Sequence, residues 1–330
     1  MAIEDTLGHH VLTQSGYAET PERRPSPAHR HDLWRSPVSS PFVRRRRLAT
    51  ELRALREQRG LTADEVAAQI YRSRMMVSKL ENARCSPNIG VVMKILDVLE
   101  APADQYNDIV TIARDAAERG WWDAYGDAMG ARQRIYADLE SGAATIREYN
   151  QFTIPGALQT PDFIKFIIEM AAAEGRIDFV AERLMEARQR RQAHLLGPQG
   201  PRYEIILDEV VVRRPTAPAQ VMLNQLRALI ETAAKHPRVT VLILPLAADF
   251  TGRLLPKSAF FLFDFIDPSD PPMAVVDTVS TDIVHTEHDE IMRYNQRYEH
   301  LRQAALSGAA SLGLLTDAAD DLENRIELSR

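Results

Sequence analysis

The sequence contains a single cysteine, Cys85, among its 330 residues. One cysteine cannot form an intramolecular disulfide or a cysteine-based zinc site, so a reducing compartment is expected. The sequence has no apolar run that approaches the roughly 20 residues of a membrane-spanning helix. Its first residues also lack a basic start followed by an apolar core, which argues against a secretory signal. We therefore expect a cytoplasmic protein.

Sequence patterns that mark common enzymes are missing as well. There is no glycine-rich phosphate loop, no Gly-x-Ser-x-Gly and no histidine followed two residues later by lysine. The string His285-Thr286-Glu287-His288-Asp289-Glu290 does combine ligands that zinc accepts. It lacks the His-Glu-x-x-His spacing that puts two histidines on one helical face, and acidic residues favour helix starts. We expect no catalysis, no metal and no cofactor, with a metal-dependent enzyme as the alternative.

Residues 1–41 have little that builds an apolar core. They hold five prolines and many small polar residues, without a sustained apolar period. This composition is typical of a disordered tail. Four histidines fall in the segment, namely His9, His10, His29 and His31. Scattered histidines in such a tail do not predict a metal site.

The most informative pattern lies in residues 48–83, where three short amphipathic helices are predicted. The first ends at Gly60. The second begins at Thr62, with Glu65 completing a capping box, and the third begins at Ser73. This arrangement predicts a helix-turn-helix unit, in which the third helix enters the major groove of DNA.

Charge is distributed unevenly along the chain. The net charge is −6, yet residues 42–100 carry twelve Lys or Arg against seven Asp or Glu. A basic module on an acidic body is what localised attraction to phosphate requires. The run Arg44–Arg47 lies at the start of this module. We expect Arg46 and Arg47 to contact DNA phosphates, with a solvated helix start as the alternative.

The periodicity changes after residue 105, and four segments are predicted. They are a disordered tail at 1–41, an all-α helix-turn-helix domain at 42–105, a larger mixed α/β (α+β) domain at 106–315 and a frayed acidic tail at 316–330. Helical patterns dominate residues 106–196. β-rich runs then occur at 203–207, 239–244, 260–265 and 274–279, and further helices are predicted at 217–235 and 288–307.

Motifs spaced along residues 45–310 carry a resemblance to known regulators. The helix-turn-helix unit resembles the Xre/Cro-type repressors, and the larger domain resembles that of the actinobacterial WhiJ-like regulators, a domain of unknown function. The matching pieces of the larger domain are Trp121-Trp122-x-x-Tyr125, Leu139-Glu140, Ile154 to Thr160, Glu182-Arg183, Arg188-Gln189, Leu207-Asp208-Glu209, Arg213-Arg214, Gln225-Leu226 and Val241 to Pro245.

The resemblance to the repressors implies DNA contacts at particular residues. The positions that carry over are base-facing Arg74, Met75 and Lys79, and phosphate-facing Ser73, Asn82 and Arg84. Arginine and lysine can donate to guanine O6 and N7, whereas Met75 offers an apolar surface, for example to a thymine methyl. Ser78 is a further exposed polar residue predicted on the same helix.

Three departures from the repressor pattern affect this unit. Ala63 replaces a common glutamine at the start of the second helix. Tyr71 and Arg72 replace a glycine and a small apolar residue in the turn. Ala83 replaces a glycine after the third helix, where a left-handed backbone costs about 1 kcal/mol. We expect a changed DNA geometry or a weaker fold, not a loss of binding.

Together these features predict a sequence-specific transcriptional regulator that binds double-stranded DNA as a homodimer. We expect a repressor, autoregulatory and associated with the nucleoid, whose two third helices enter major grooves about 10 bp apart. The WhiJ-like resemblance implies a small BldB-like partner protein encoded nearby, in an antitoxin-like pair. The alternative is a small-molecule sensor with aromatic residues lining a pocket, although at this spacing aromatics more often form a core. Those residues are Trp121, Trp122, Tyr125 and Tyr136.

Overall fold

Five α-helices form the first part of the computed structural model, which describes residues 39–175, 181–278 and 282–329. The helices are α1 (Pro41–Gln58), α2 (Ala63–Gln69), α3 (Arg74–Glu81), α4 (Ile89–Val98) and α5 (Ala103–Ala117). Side-chain oxygens of Ser40, Thr62, Ser73 and Asn88 accept backbone N–H groups at the starts of the first four helices. The Glu65 carboxylate also accepts the Thr62 N–H at 2.7 Å, which completes the predicted capping box. The predicted all-α helix-turn-helix region is confirmed.

One apolar core holds these five helices together. Leu52 of α1, Val66 of α2, Val77 of α3 and Leu96 of α4 are all buried in it. Helix α5 packs along α1 and contributes Ile109, Ile112, Ala113 and Ala116 to the same core. Because that apolar stripe is buried against α1, the helical region extends to Ala117, past the boundary predicted at residue 105.

The second part of the chain is built on a mixed six-stranded sheet with the order β3-β2-β1-β4-β5-β6. The strands are β1 (Ala143–Asn150), β2 (Arg202–Asp208), β3 (Val239–Leu244), β4 (Phe260–Phe265), β5 (Met273–Val276) and β6 (Ile283–His285). Strands β1, β2 and β3 run parallel, and β4 to β6 pair antiparallel with their neighbours. The predicted mixed α/β domain is confirmed.

Helices cover both faces of the sheet. They are α6 (Gly130–Gly142), α7 (Pro161–Ala173), α8 (Ala181–Leu195), α9 (Glu209–Arg213), α10 (Ala219–Lys235), α11 (His288–Ala304) and α12 (Gly308–Leu328), with 3₁₀ helices at Trp121–Met129 and Gly156–Leu158. The face that bears Ile146 and Phe263 packs against all of these α-helices except α11. The other face, with Tyr149 and Phe260, packs against Tyr298 of α11. None of the described helices combines the length and apolarity needed to cross a membrane.

Two expectations for this part of the chain are wrong. Strand β1 lies inside the stretch predicted to be helical. The prediction is wrong because Glu148 and Asn150, on the buried face of β1, are polar and conceal the apolar alternation typical of a strand. The sequence predicts a frayed acidic tail at 316–330, but α12 continues through this segment as far as Leu328. The apolar side of α12 is buried against α10, while its aspartates face outward.

The tail predicted at residues 1–41, with its four histidines, lies outside the described residues up to residue 38. From there the chain is ordered by α1, since Ser40 is 1% exposed and caps that helix. Trp121, Trp122 and Tyr125 pack edge to face, with ring centroids 5.7 to 5.8 Å apart. All three are buried, with Met129 and Ala187 in the same cluster. The core interpretation of these three aromatic residues is therefore confirmed.

Candidate DNA-binding surface

Helix α3 has one buried face and one exposed face. Val77, Leu80 and Glu81 are buried against the rest of the helical region. Because residues three and four positions apart share a helical face, a second group of side chains lies together on the opposite side of α3. This group, which we call the reading face, comprises the exposed residues Arg74, Met75 and Lys79 and the half-buried Ser78. Met75 leaves 65% of its surface exposed between two basic side chains, a composition suited to base edges and thymine methyl groups.

The predicted phosphate-facing residues lie at the two ends of α3. Ser73 caps its start by accepting the Met76 N–H at 3.4 Å. At its other end the Asn82 side chain donates to the Ser78 carbonyl oxygen at 2.7 Å, and Arg84 follows with its side chain exposed. The structure thus brings the predicted residues from Ser73 to Arg84 together along one short helix and its caps.

Strained backbone flanks α3 on both sides. Tyr71 before the helix and Ala83 after it both have a φ of 54°, in the left-handed region that favours glycine. Each turn is closed by a backbone hydrogen bond: Arg72 N–H donates to the Ala67 carbonyl at 2.9 Å, and Arg84 N–H donates to the Lys79 carbonyl at 2.8 Å. The left-handed conformation expected at Ala83 is confirmed.

A buried ion pair fixes α3 against α1. The Arg56 guanidinium holds Glu81 in a bidentate pair, with Nε–Oε1 at 2.7 Å and Nη2–Oε2 at 2.9 Å. Hydrogen bonds to Glu81 raise the pKa of Arg56. The same guanidinium donates to the carbonyl of Leu61, in the connection between α1 and α2, at 2.8 Å, so one side chain of α1 holds both α3 and the chain that leads into α2. Sequence reasoning missed this pair because its members are 25 residues apart and form no local motif.

Two further arginines lie next to α3 and were not predicted. Arg53 of α1 donates from Nη2 to the Asn82 side-chain oxygen at 3.1 Å and also to the Glu81 carbonyl. Arg72 is exposed in the turn before α3. Both add positive charge beside the predicted phosphate-facing residues. Arg72 could have been predicted from the sequence, because it directly precedes the helix cap Ser73.

The Arg74 side chain forms an ion pair that solvent screens. Its Nε lies 3.2 Å from Asp64 Oδ2, with 72% and 68% of the two side chains exposed. Pairs this exposed contribute little to stability. The guanidinium can therefore exchange Asp64 for a guanine edge at small cost.

The arginine run 44–47 is placed differently from the prediction. Arg47 lies 2.8 Å from Asp267 and 3.3 Å from Asp270, and Arg44 lies 3.0 Å and 3.3 Å from the same two carboxylates. The Asp270 side chain is 2% exposed, and Arg44 and Arg47 are 11% and 17% exposed. Because Asp267 and Asp270 compensate the charge of Arg44 and Arg47, a contact of Arg47 with a DNA phosphate would require breaking these ion pairs.

Arg45 and Arg46 also face protein. Arg45 Nη2 lies 3.7 Å from Asp138 Oδ2. Arg46 lies over the Phe42 ring at 4.7 Å from its centroid and donates to Thr286 Oγ1 at 3.5 Å. Burial lowers the pKa of Arg46, while the nearby Glu287 carboxylate opposes that effect. Both side chains face other parts of the protein, Arg46 through Phe42 and Thr286 and Arg47 through the two aspartates, which argues against the phosphate contacts predicted for them.

The histidine- and carboxylate-rich string at 285–290 begins a helix. His285 ends β6, Glu287 precedes α11, and Asp289 and Glu290 lie in its first turn. Carboxylates in a first turn stabilise a helix through its dipole. Across the ranges that the structure describes, no three His, Cys, Asp or Glu side chains are placed to hold a metal ion.

Comparisons with known families agree with this division of the chain. Residues 47–108 match the family described as a helix-turn-helix domain. Residues 133–317 match the domain of unknown function DUF5753, which spans more than half of the chain. No curated protein and no solved structure matches the chain. The protein therefore belongs to the DUF5753 family, with that domain following a helix-turn-helix region of the kind that binds DNA.

Proposed function

We propose that this protein is a sequence-specific transcriptional repressor of the Xre/Cro type that reads DNA with α3. The observation that carries the proposal is the reading face, where exposed Arg74 and Lys79 flank exposed Met75 in the region that matches a helix-turn-helix domain. Arg74 and Lys79 would donate to guanine O6 and N7, and Met75 would contact a thymine methyl.

The residues around the reading face position the protein on the DNA backbone. Ser73, Asn82 and Arg84 would meet phosphates at the two ends of α3, together with the exposed Arg53 and Arg72. The bidentate Arg56–Glu81 pair keeps α3 at a fixed angle to α1, so the phosphate contacts and base contacts are made in one register.

The proposed active form is a homodimer. Two copies of α3 would enter successive major grooves, about 10 bp apart, and the operator would be an inverted repeat. We assign the dimer contacts to the DUF5753 domain, because the helical region is small and its surface around α3 is needed for DNA. Repression of its own gene is the regulation we propose, in the cytoplasm and at the nucleoid.

The WhiJ-like resemblance supports a further part of the proposal. The DUF5753 domain would bind a small BldB-like protein encoded nearby, in an antitoxin-like pair, and this binding would change operator occupancy. We propose that the domain binds partners and does not catalyse a reaction. Co-purification of the neighbouring small protein, with a shift in DNA affinity when it is added, is the expected result. If the small protein neither co-purifies nor changes the DNA affinity, the proposed partnership is wrong.

Fluorescence anisotropy with the DNA upstream of the protein's own gene tests the main proposal. We expect tighter binding to that DNA than to a random duplex of equal length, with a steep dependence on salt. The Arg74→Ala variant should show a smaller preference, while Lys165→Ala, which removes an exposed cation from α7, should keep the preference of the wild-type protein. Equal affinity of the wild-type protein for both duplexes, at every salt concentration, would contradict autoregulation at this site.

A further inference from the structure

A polar cavity of about 330 Å³ lies in the DUF5753 domain, on the face of the sheet that bears Ile146. Glu148 and Asn150 of β1 and Tyr203 of β2 line its floor. Helix α6 forms one wall and α8 another, and the turn that contains Ile154 and Gln159 forms the rim. The volume is in the range of small-molecule sites.

Most charged groups in this cavity have partners within the protein. Arg191 and Glu140 form a buried ion pair, with Nε–Oε2 at 2.9 Å. Tyr203 donates its hydroxyl to Glu148, and Asn150 donates to the same carboxyl group at 3.3 Å. At the edge of the cavity, Arg132 pairs with Asp277 and Asp282.

Arg188 of α8 differs from these groups. Its Nη1 donates to the Gln159 side-chain oxygen at 2.9 Å, but its Nε is buried without a hydrogen-bond partner. Among the residues that the structure describes, no carboxylate lies within ion-pair distance of Arg188. Burial, and then repulsion from Arg191, lowers the pKa of Arg188 to about 10. The guanidinium is still protonated at neutral pH. Because no carboxylate pairs with it, its positive charge has no counter-ion in the cavity.

A second group in the same cavity is also unsatisfied. Tyr136 of α6 is 5% exposed and lines the cavity, and its hydroxyl has no hydrogen-bond partner. Buried polar groups in folded proteins are nearly always paired, so two unpaired groups that line the same cavity require an explanation, and a bound partner for both is one. Apolar surface from Phe261, Ile154 and Ile167 completes the lining.

We propose that this cavity binds a small aromatic monocarboxylate, with the ligand carboxylate on Arg188 and a ligand oxygen accepting from Tyr136. A single negative charge suits the site, because one arginine lacks a counter-ion while Glu140, Glu148 and Asp277 also line the cavity. A phosphate dianion carries two negative charges, of which Arg188 would balance one. The second charge would be repelled by the carboxyl groups that line the cavity. The apolar lining would cover the body of the ligand.

Helix α6 connects this cavity to the helical region. On the cavity side it carries Tyr136 and Glu140. On another side its Asp138 accepts hydrogen bonds from Ser40 Oγ at 2.5 Å and from the Phe42 N–H at 3.0 Å, at the start of α1. Occupation of the cavity would therefore act on the helix that holds α1. This consequence, unlike binding itself, rests on the proposed DNA-binding function.

Calorimetry on the full chain tests binding directly. The probes are benzoate, salicylate and indole-3-acetate, each compared with its own primary amide, and phenyl phosphate as the dianion. We expect at least one acid to bind at least tenfold more tightly than its amide and than phenyl phosphate. Equal affinity of acid and amide for all pairs, or no binding of any acid up to 10 mM, would overturn the proposal.

Variants at Arg188 assign the carboxylate contact. Arg188→Gln should abolish the preference for acid over amide, and Arg188→Lys should retain part of it. Because Arg188→Gln removes a buried cation without a counter-ion, its melting temperature without ligand should equal or exceed that of the wild-type protein. The matched control is Arg183→Gln, on an exposed part of the same helix, which should bind as the wild-type protein does. Loss of acid preference in the control would overturn the assignment.

The link to DNA is measured separately, by repeating the anisotropy titration with the tightest acid at saturation. A change in DNA affinity of threefold or more, absent in Arg188→Gln, is expected. Unchanged DNA affinity with confirmed acid binding would refute the link through α6 and leave the binding site intact. Acid binding to a protein that shows no DNA preference would instead count against the proposed function alone.

Discussion

Two arginine-rich segments of the helical region, 44–47 and 72–84, contain the same kind of side chain in different surroundings. Arg44, which is buried, and Arg47, which is half-buried, pair with Asp267 and Asp270 of the DUF5753 domain. Arg72, Arg74 and Arg84 are exposed around α3. Both segments contribute to the excess of basic residues in 42–100, yet the charge of Arg44 and Arg47 is compensated by carboxylates of the protein itself.

The difference lies in the desolvation of the carboxylates that face each segment. Asp270 is buried beside two arginines, whereas Asp64, the partner of Arg74, is 68% exposed. An ion pair in water is easily exchanged for a phosphate or a base, and a buried pair is not. A count of basic residues therefore predicts that a region attracts DNA but does not identify the arginines that touch it.

Removing a buried carboxylate from the arginine run should have the largest effect. Asp270→Ala leaves Arg44 and Arg47 with less counter-charge in a buried place, and we expect the free energy of unfolding to fall by about 3 kcal/mol. Urea denaturation measures the loss. The matched control is Asp321→Ala, which removes the 59% exposed partner of Arg213 and should change stability little. Equal losses in the two variants would mean that burial does not distinguish these pairs.

A buried carboxyl group without an arginine partner extends the comparison. Arg47 and Arg44 help backbone hydrogen bonding to lower the pKa of Asp267 to about 2, whereas burial raises the pKa of Glu148 to about 7. Folded Glu148 keeps a proton that the unfolded chain releases near pH 4.5, so the free energy of unfolding falls as pH rises from about 4.5 to 7. Glutamine cannot release this proton, so we expect the free energy of unfolding of Glu148→Gln to decrease by about 2–3 kcal/mol less than that of the wild-type protein over this pH range.

Urea denaturation of the wild-type protein and Glu148→Gln at pH 5 and pH 8 measures that effect. The variant should gain stability relative to the wild type on going from pH 5 to pH 8. A constant difference between the two proteins at both pH values would show that Glu148 is ionised throughout, contrary to its burial.

On the exposed side of the comparison, the reading face should matter for DNA and not for folding. Arg74→Ala and Lys79→Ala should each weaken binding to the operator by about 1–3 kcal/mol, with a smaller loss on random DNA. Their unfolding free energies should match that of the wild type, since both side chains are exposed. Anisotropy titrations on both duplexes make the measurement. Equal losses on both duplexes would remove the residue from the base-reading set.

The smallest expected effect concerns the backbone that presents the reading face. Ala83→Gly relieves a left-handed alanine and should raise the free energy of unfolding by about 0.5–1 kcal/mol. The same substitution at Ala68, an exposed residue inside α2, should lower it by about 1 kcal/mol. Thermal denaturation of the two variants gives the signs. A loss of stability at both positions would show that the turn at Ala83 is not strained.

Local features of the helical region were predictable from sequence. The capping box at Thr62, the cap at Ser73 and the left-handed turn at Ala83 each depend on residues within five positions of one another. The same holds for the exposed face of α3, because a helical period determines it. Four of the six strands were also found, from their apolar runs.

Features that depend on distant residues were not predictable. The partners of Arg47 lie more than 200 residues away along the chain, so nothing near the run shows that its charge is compensated. Strand β1 was missed because Glu148 and Asn150 face a polar cavity formed by α6 and α8, not an apolar core. The acidic residues of α12 suggested fraying because the surface that buries Leu315 and Leu322 belongs to another part of the fold.

The salt dependence of DNA binding tests most directly whether the two arginine segments differ in function. Binding of the wild-type protein, Arg84→Gln and Arg46→Gln to one random-sequence duplex would be followed from low to high salt. If Arg84 contacts a phosphate and Arg46 does not, Arg84→Gln lowers the slope of log K against log salt by about one, and Arg46→Gln leaves it unchanged. The reverse pattern, with the slope reduced by Arg46→Gln alone, would contradict the account.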